Sequence, residues 1–194
     1  MSTTLAAPAT HELVVKHSRF LASAAPVDDA EAAAAFIGAV SVPDATHNCW
    51  AWRIGSGYRS SDDGEPAGTA GRPILAGIDG QGLDGVVVVV TRWYGGIKLG
   101  AGGLVRAYGG TAAECLRTAE RREVVEMADI DVECPFADIA AVHGALPAFD
   151  AEKLSEDFRA DGVRFRLRLP AARLPALASH LRDATRDRAR LGDP

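Results

Sequence analysis

The sequence predicts an α/β (α+β) protein made of two units, and three observations carry that expectation. Val86 to Val90 is an unbroken valine run, too apolar for a strand wetted on one face, so it reads as a central strand buried on both. Gly95, Gly96, Gly100, Gly102 and Gly103 follow it, and Leu104 to Ala119 then recovers a helical period. Beyond residue 121 the pattern becomes strand, helix, strand, strand, helix, the split βαβ arrangement of a ferredoxin-like domain. The expected domains are 1–121 and 122–194.

Composition sets the outer limits. The 194 residues are 47% hydrophobic and 24% charged, enough to bury one large or two small cores. A net charge of −5 argues against nucleic-acid binding by overall charge, so any such contact needs a local patch. Cys49, Cys115 and Cys134 are widely spaced and lack metal-ligand spacing, which suits a reducing cytoplasm and predicts no metal site. Met1 to Thr10 has no Lys or Arg and no long apolar core, so no secretory leader is expected. The valine run falls far short of the roughly 18 residues of a membrane span. The expectation is a cytoplasmic protein without a cofactor and without membrane contact.

In chain order, residues 1–11 are small and polar and are expected to be disordered. Ser18 to Pro26 reads as a strand, ending where Pro26 removes a ladder donor. Asp28 is placed to cap a helix with Glu31 at its third position, and that alanine-rich helix should run to about Val40. Thr46 to Ile54 reads as a second strand, with Trp50, Trp52 and Ile54 on one face and His47, Cys49, Ala51 and Arg53 on the other. His47 and Cys49 are either a dyad or simply a polar residue and a small hydrophobe sharing a strand face.

Gly55 to Pro73 reads as a long connection with an acidic tip at Asp62, Asp63 and Glu65, leading through Thr69 to a short helix near Ile74 to Ile78. The tip could bind a divalent cation or act as acid and base. Equally, it could be a turn in which Asp side chains cap backbone N–H groups. It is not an EF-hand, whose alternating ligands and closing glutamate are missing. If this loop folds over the glycines, Asp62 and Arg92 are expected to pair.

Strand, glycine loop and helix in that order bring backbone N–H groups to a helix N-terminus, where an anion is favoured. Arg92, Lys98 and Arg106 surround the loop, and with Gly100, Gly102 and Gly103 they form the expected anion- or partner-binding site. The loop lacks the Gly-Lys-Ser/Thr ending of a phosphate loop, and Val105 stands where a dinucleotide fingerprint needs its third glycine. The alternative is that the glycines only permit close helix–sheet packing.

In the second unit, Val124 to Cys134 reads as a strand and Phe136 to Ala148 as a short helix. Ala151 to Arg159 and Val163 to Leu169 form a hairpin around Asp161-Gly162, Arg173 to Ala184 is a helix, and Arg188 to Leu191 is a last strand. Arg164, Arg166 and Arg168 share the open face of that hairpin. Between Arg159 and Arg190 there are nine arginines against Asp161, Asp183 and Asp187, a local excess that could serve as a platform for RNA. The competing expectation sets Asp157 opposite Arg166, and the face also lacks the aromatics that stack on bases.

Thr46-His-Asn-Cys-Trp-Ala-Trp52, Ser61-Asp-Asp-Gly-Glu-Pro-Ala-Gly-Thr-Ala-Gly71 and Val90-Thr-Arg-Trp-Tyr-Gly-Gly-Ile-Lys-Leu-Gly-Ala-Gly-Gly-Leu-Val-Arg-Ala-Tyr108 resemble the YigZ/IMPACT family. Trp50 and Trp93-Tyr94 depart from its commoner Tyr and Tyr-Phe. The resemblance implies a first domain like domain 2 of ribosomal protein S5 and a second, ferredoxin-like domain resembling domain V of elongation factor G. It also picks out His47, Asp62, Asp63, Glu65, Thr69, Arg92, Lys98 and Arg106 as shared polar positions without assigned roles. Eukaryotic relatives act by protein binding in translational control, so the resemblance implies a non-enzymatic, translation-associated binding protein for RNA, the ribosome or a translation regulator. The alternative is an enzyme acting on a small phosphorylated or anionic metabolite. It would hold that metabolite at the glycine loop and use one of Asp62, Asp63 or Glu65 as base. A third expectation is that the two loops merely pack on each other, with the partner surface at Trp50 or Trp93.

Overall fold

The valine run lies at the middle of a sheet, as its composition requires. The computed structural model describes residues 2–192, which fall into two units, 2–124 and 125–192. In the first, β1 (Ser2–Leu5) stands apart from a sheet made by β2 (Ala9–Val15), β3 (Ser18–Pro26), β4 (His47–Ile54), β5 (Gly57–Ser61) and β6 (Val86–Trp93). The order is β2-β3-β6-β4-β5 and every pairing is antiparallel.

Three helices, α1 (Ala30–Val40), α2 (Gly71–Gly80) and α3 (Ala101–Thr118), supply the apolar partners of this sheet. Alternate side chains of β6 go to opposite faces. Val86, Val88 and Val90 join Ala22, Ala24, Cys49 and Ala51 in the core beneath α2 and α3. Val87 joins Ala25 and Ala33 of α1 in a smaller cluster on the other side, with Trp52 and Ile54 packed against it. A strand covered on both faces has no use for a polar residue, which explains the unbroken run.

Several local expectations are corrected. Residues 2–11 are ordered: β1 pairs antiparallel with β7 (Arg121–Val124), and β2 is an edge strand of the main sheet. Thr4 donates its hydroxyl to Gly85 O at 2.9 Å, and Leu5 is fully buried. The apolar residues of this segment are too few and too scattered to show a period, so the tie to residues 121–124 is invisible locally. The cap of α1 is Asp29, whose Oδ1 accepts from Ala32 N at 2.8 Å, not Asp28. The long connection after Ile54 is shortened by β5, which returns along β4 through a two-residue turn.

The second unit has β8 (Met127–Cys134), α4 (Ile139–Ala145), β9 (Glu152–Phe158), β10 (Val163–Pro170), α5 (Leu174–Thr185) and β11 (Arg190–Gly192). Its sheet runs β11-β8-β10-β9, so the strands on either side of α4 are separated by β10, as the split pattern requires. Ile130, Val132, Phe165, Leu167 and Leu169 meet Val142, Leu177 and Leu181 in its core. The β9–β10 connection is four residues long, closed by Arg159 N–H donating to Gly162 O at 2.8 Å. That connection length sets the register, so Asp157 faces Arg164 and Ser155 faces Arg166, and a bulge shifts the pairing only beyond Arg166.

Because Leu5 is fully buried in the main core, Leu5→Ala should cost about 2–5 kcal/mol of unfolding free energy. Chemical denaturation followed by circular dichroism checks this. An unchanged midpoint would return the N-terminal segment to disorder.

Candidate functional site

The acidic turn is built from backbone hydrogen bonds before it is a site. Asp62 Oδ1 accepts from Ala70 N at 3.0 Å and Gly71 N at 2.8 Å, while its Oδ2 accepts from Gly68 N at 2.8 Å. Asp62 therefore closes the turn onto the start of α2. Burial raises its carboxyl pKa, but the three N–H groups outweigh that and hold it below the ordinary value. Asp63 Oδ2 accepts from Asn48 N at 2.6 Å, and Thr69 donates to Pro66 O at 2.6 Å. These three residues shape the turn and line none of the described cavities.

Glu65 is the member of the turn that points inward. Its Oε1 accepts from Arg92 Nη1 and from the Tyr108 hydroxyl, each at 2.6 Å. Both charged side chains are nearly inaccessible, Arg92 at 6% and Glu65 at 4% exposed. The pair expected for Asp62 is thus made by Glu65, because Asp62 is already spent on backbone N–H groups. Arg92 lies 5.5 Å over the Phe20 and Tyr94 rings, reaches Ser18 Oγ only at 3.5 Å, and leaves its Nε without a hydrogen-bond partner among the described residues.

His47 completes the cluster. Its Nδ1 lies 2.6 Å from Asp63 O and its Nε2 3.8 Å from Glu65 Oε2. A carbonyl only accepts, so Nδ1 carries the hydrogen. Cys49, on the same strand face, does not meet His47. It donates its thiol to Asp62 O at 3.0 Å, and burial pushes its pKa up to about 12, so it stays a neutral core residue and there is no dyad.

Beside this cluster the chain must turn from β6 into α3. Gly95 sits so close to the β2–β3 turn that a Cβ there would fall 2.0 Å from His17 C, so only glycine fits. Gly100, at φ +73°, caps α3 without a side-chain acceptor. Leu104 N–H closes the first turn on Gly100 O at 3.0 Å, which leaves the N–H groups of Ala101, Gly102 and Gly103 without an intrahelical acceptor.

Acidic turn and glycine loop together enclose an open, mainly apolar cavity of about 460 Å³. His47, Glu65, Arg92, Lys98 and Gly100 from the sequence-marked set line it, with Tyr94, Leu99 and Leu104 among its walls. Arg106 and Gly103 are not in it. They line a separate cavity of about 230 Å³ with Leu13, Val15 and Lys16 of the β2 side, and Leu99 belongs to both. Gly102 lines neither described cavity. The three cations are therefore not one cluster: Arg92 is buried and paired, Arg106 lies on the neighbouring cavity, and Lys98 is the exposed cation of the larger one.

The comparisons with known proteins fall on the same segments. Residues 16–116 match the Impact N-terminal domain, which contains every residue of this cavity, and residues 132–188 match a domain of unknown function, DUF1949. The chain belongs to the IMPACT family. It is 52% identical over 157 residues to an IMPACT family member in the pol 5′ region of Thermus thermophilus, covering 81% of this chain and 87% of that one. It is 39% identical over 188 residues to IMPACT family member YigZ of Escherichia coli, covering 93% and 92% of the two chains. A crystal structure described as a hypothetical protein superposes with a TM-score of 0.70 at 37% identity, over 100% of this chain and 98% of that one.

In this IMPACT family chain the arginine patch of the second unit does not stand free. Arg168 is held bidentately by Asp129, at 2.7 and 2.9 Å, and Arg164 pairs with Asp131. Asp131 also stands opposite Arg166 in the β8–β10 register. The excess counted between Arg159 and Arg190 is offset by β8, a strand outside that window. No helix among the described residues is long and apolar enough to cross a membrane.

Tyr108 is the site residue that motif reasoning passed over. Its signal was helical spacing, four residues after Leu104, which puts its ring in the core while its hydroxyl reaches Glu65. Tyr108→Phe should cost about 1.5–3 kcal/mol, as for a lost hydrogen bond to a charged group, with the fold retained by near-UV circular dichroism.

A carboxyl held below its unfolded pKa contributes stability above the unfolded value and loses it as pH falls through the folded one. Asp62→Asn should therefore denature at lower urea than the parent at pH 7, and the gap should close below about pH 4. A gap independent of pH would mean that shape, not charge, holds the turn.

Proposed function

We propose that this IMPACT family chain is a non-enzymatic, translation-associated binding protein whose working surface is the cavity between the acidic turn and the glycine loop. The observation that carries the reading is that the three carboxylates of the turn are all engaged. Asp62 holds three backbone N–H groups, Asp63 holds Asn48 N, and Glu65 holds Arg92 and Tyr108. A general base needs a pKa suited to its task, which a carboxylate tied to a cation or to several N–H groups does not offer. Asp62 instead has its pKa lowered, and Glu65 has a full charge partner.

The alternative, an enzyme acting on an anionic metabolite, is supported by the way one cavity joins the two loops. It needs Glu65 to release Arg92, and breaking such a buried pair costs about 3–5 kcal/mol. Binding requires no such release. Lys98 and the start of α3 at Gly100 and Ala101 line the cavity and can meet an anionic group as they stand.

Sedimentation of the intact chain with ribosomes, and filter binding to RNA, across a salt series tests the reading. Binding should weaken with salt, and Lys98→Ala should reduce the slope by about one. Arg166→Ala, on a face already balanced by Asp131, should leave the slope unchanged. Salt-indifferent binding, or a slope that ignores Lys98, overturns the reading.

A further inference from the structure

The lining of the larger cavity carries two kinds of group. The first is a pair of acceptors. In the neutral tautomer whose Nδ1–H meets Asp63 O, His47 Nε2 presents a lone pair, and 3.8 Å away lies Glu65 Oε2. Glu65 Oε1 takes both Arg92 and Tyr108, while Oε2 has no hydrogen-bond partner among the described residues, although the side chain is only 4% exposed. Two acceptors at that separation are both reached by one ammonium placed about 2.8–3.0 Å from each.

The second kind is positive. Lys98 and the uncapped start of α3 at Gly100 and Ala101 line the same cavity, and both favour an anion. Pro66, Tyr94, Leu99 and Leu104 supply apolar wall.

Charge decides between ligand classes. Apart from the imidazole, the lining holds Glu65 against Arg92 and Lys98, so it carries both signs of charge. A phosphate monoester held at Lys98 and the start of α3 would leave Glu65 Oε2 and His47 Nε2 unmatched. A zwitterion sets its ammonium there and its carboxylate among the cations. The buried Arg92 cation reinforces this, because it pairs with Oε1 and leaves Oε2 open.

We propose that the cavity binds a small zwitterion with an apolar body, its ammonium between His47 Nε2 and Glu65 Oε2 and its carboxylate at Lys98 and the N-terminus of α3. The assignment rests on the reading of this cavity as the working surface. Free α-amino acids with apolar side chains are the simplest members of the class, and about 460 Å³ lies within the usual range for a small-molecule site.

Isothermal titration calorimetry of the intact chain with L-leucine and L-phenylalanine, their N-acetyl derivatives, their amides and inorganic phosphate tests it. At least one free amino acid should bind, with a tenfold or greater loss when either the ammonium or the carboxylate is masked. His47→Ala and Lys98→Ala should each weaken that binding tenfold or more. Arg117→Ala, on an exposed Glu114 pair away from the cavity, should not. Near-UV circular dichroism shows that each variant keeps its fold. Equal binding of masked and free forms, binding of phosphate alone, or no heat from any probe at millimolar concentration overturns the assignment. If no amino acid binds while Lys98→Ala still lowers the salt slope on ribosomes or RNA, the zwitterion falls and the translation reading stands. If amino acids bind while the ribosome and RNA slopes ignore Lys98, the reverse holds.

Discussion

The buried Arg92–Glu65 pair is the interaction on which the site depends. Arg92 is near the end of the central strand, Glu65 is in the turn ahead of α2, and Tyr108 is on α3, so one carboxylate oxygen joins three elements far apart in sequence. A charge taken out of water is tolerable only with a partner and good hydrogen bonds, and this one has both. The pair fixes the acidic turn against the sheet, which places Glu65 Oε2 opposite His47. A hydrophobic pair of equal volume could pack as well, but it would leave the cavity without a polar floor.

Much of this architecture was legible because it follows from periodicity. The valine run could only be a central strand, and Ser18–Pro26, the helix ending at Val40 and the β8-α4-β9-β10-α5 order follow from turn residues and apolar spacing. The site was legible as a set of residues and not as an arrangement. Asp62, Asp63 and Glu65 are chemically alike in sequence, and only the fold distinguishes the two that hold backbone N–H groups from the one that holds a guanidinium. Arg92 and Arg106 likewise flank one loop in sequence but belong to different cavities, because α3 carries Arg106 past Leu99.

The second unit makes the same point about charge. A window of sequence counts neighbours along the chain, whereas a sheet pairs residues across it. Asp129, Asp131 and Glu133 alternate along β8 and meet Arg168, Arg166 and Arg164 in register. A stripe that looks basic in one strand becomes, with its neighbour, a lattice of opposite charges. Such a face contributes cross-strand support and directs attention back to the first unit for recognition.

The short ribbon of β1 and β7 bears on how the protein is made. Ser2 pairs with Val124 and Leu5 with Arg121, so β1 waits for the last strand of its unit before it finds a partner. Until then Leu5 has no lid to slide under, and the core that receives it stays open along one edge. Closing a loop of that length slows folding more than it weakens the finished product. Leu5 therefore lacks its core contacts until the rest of the first unit has been synthesised.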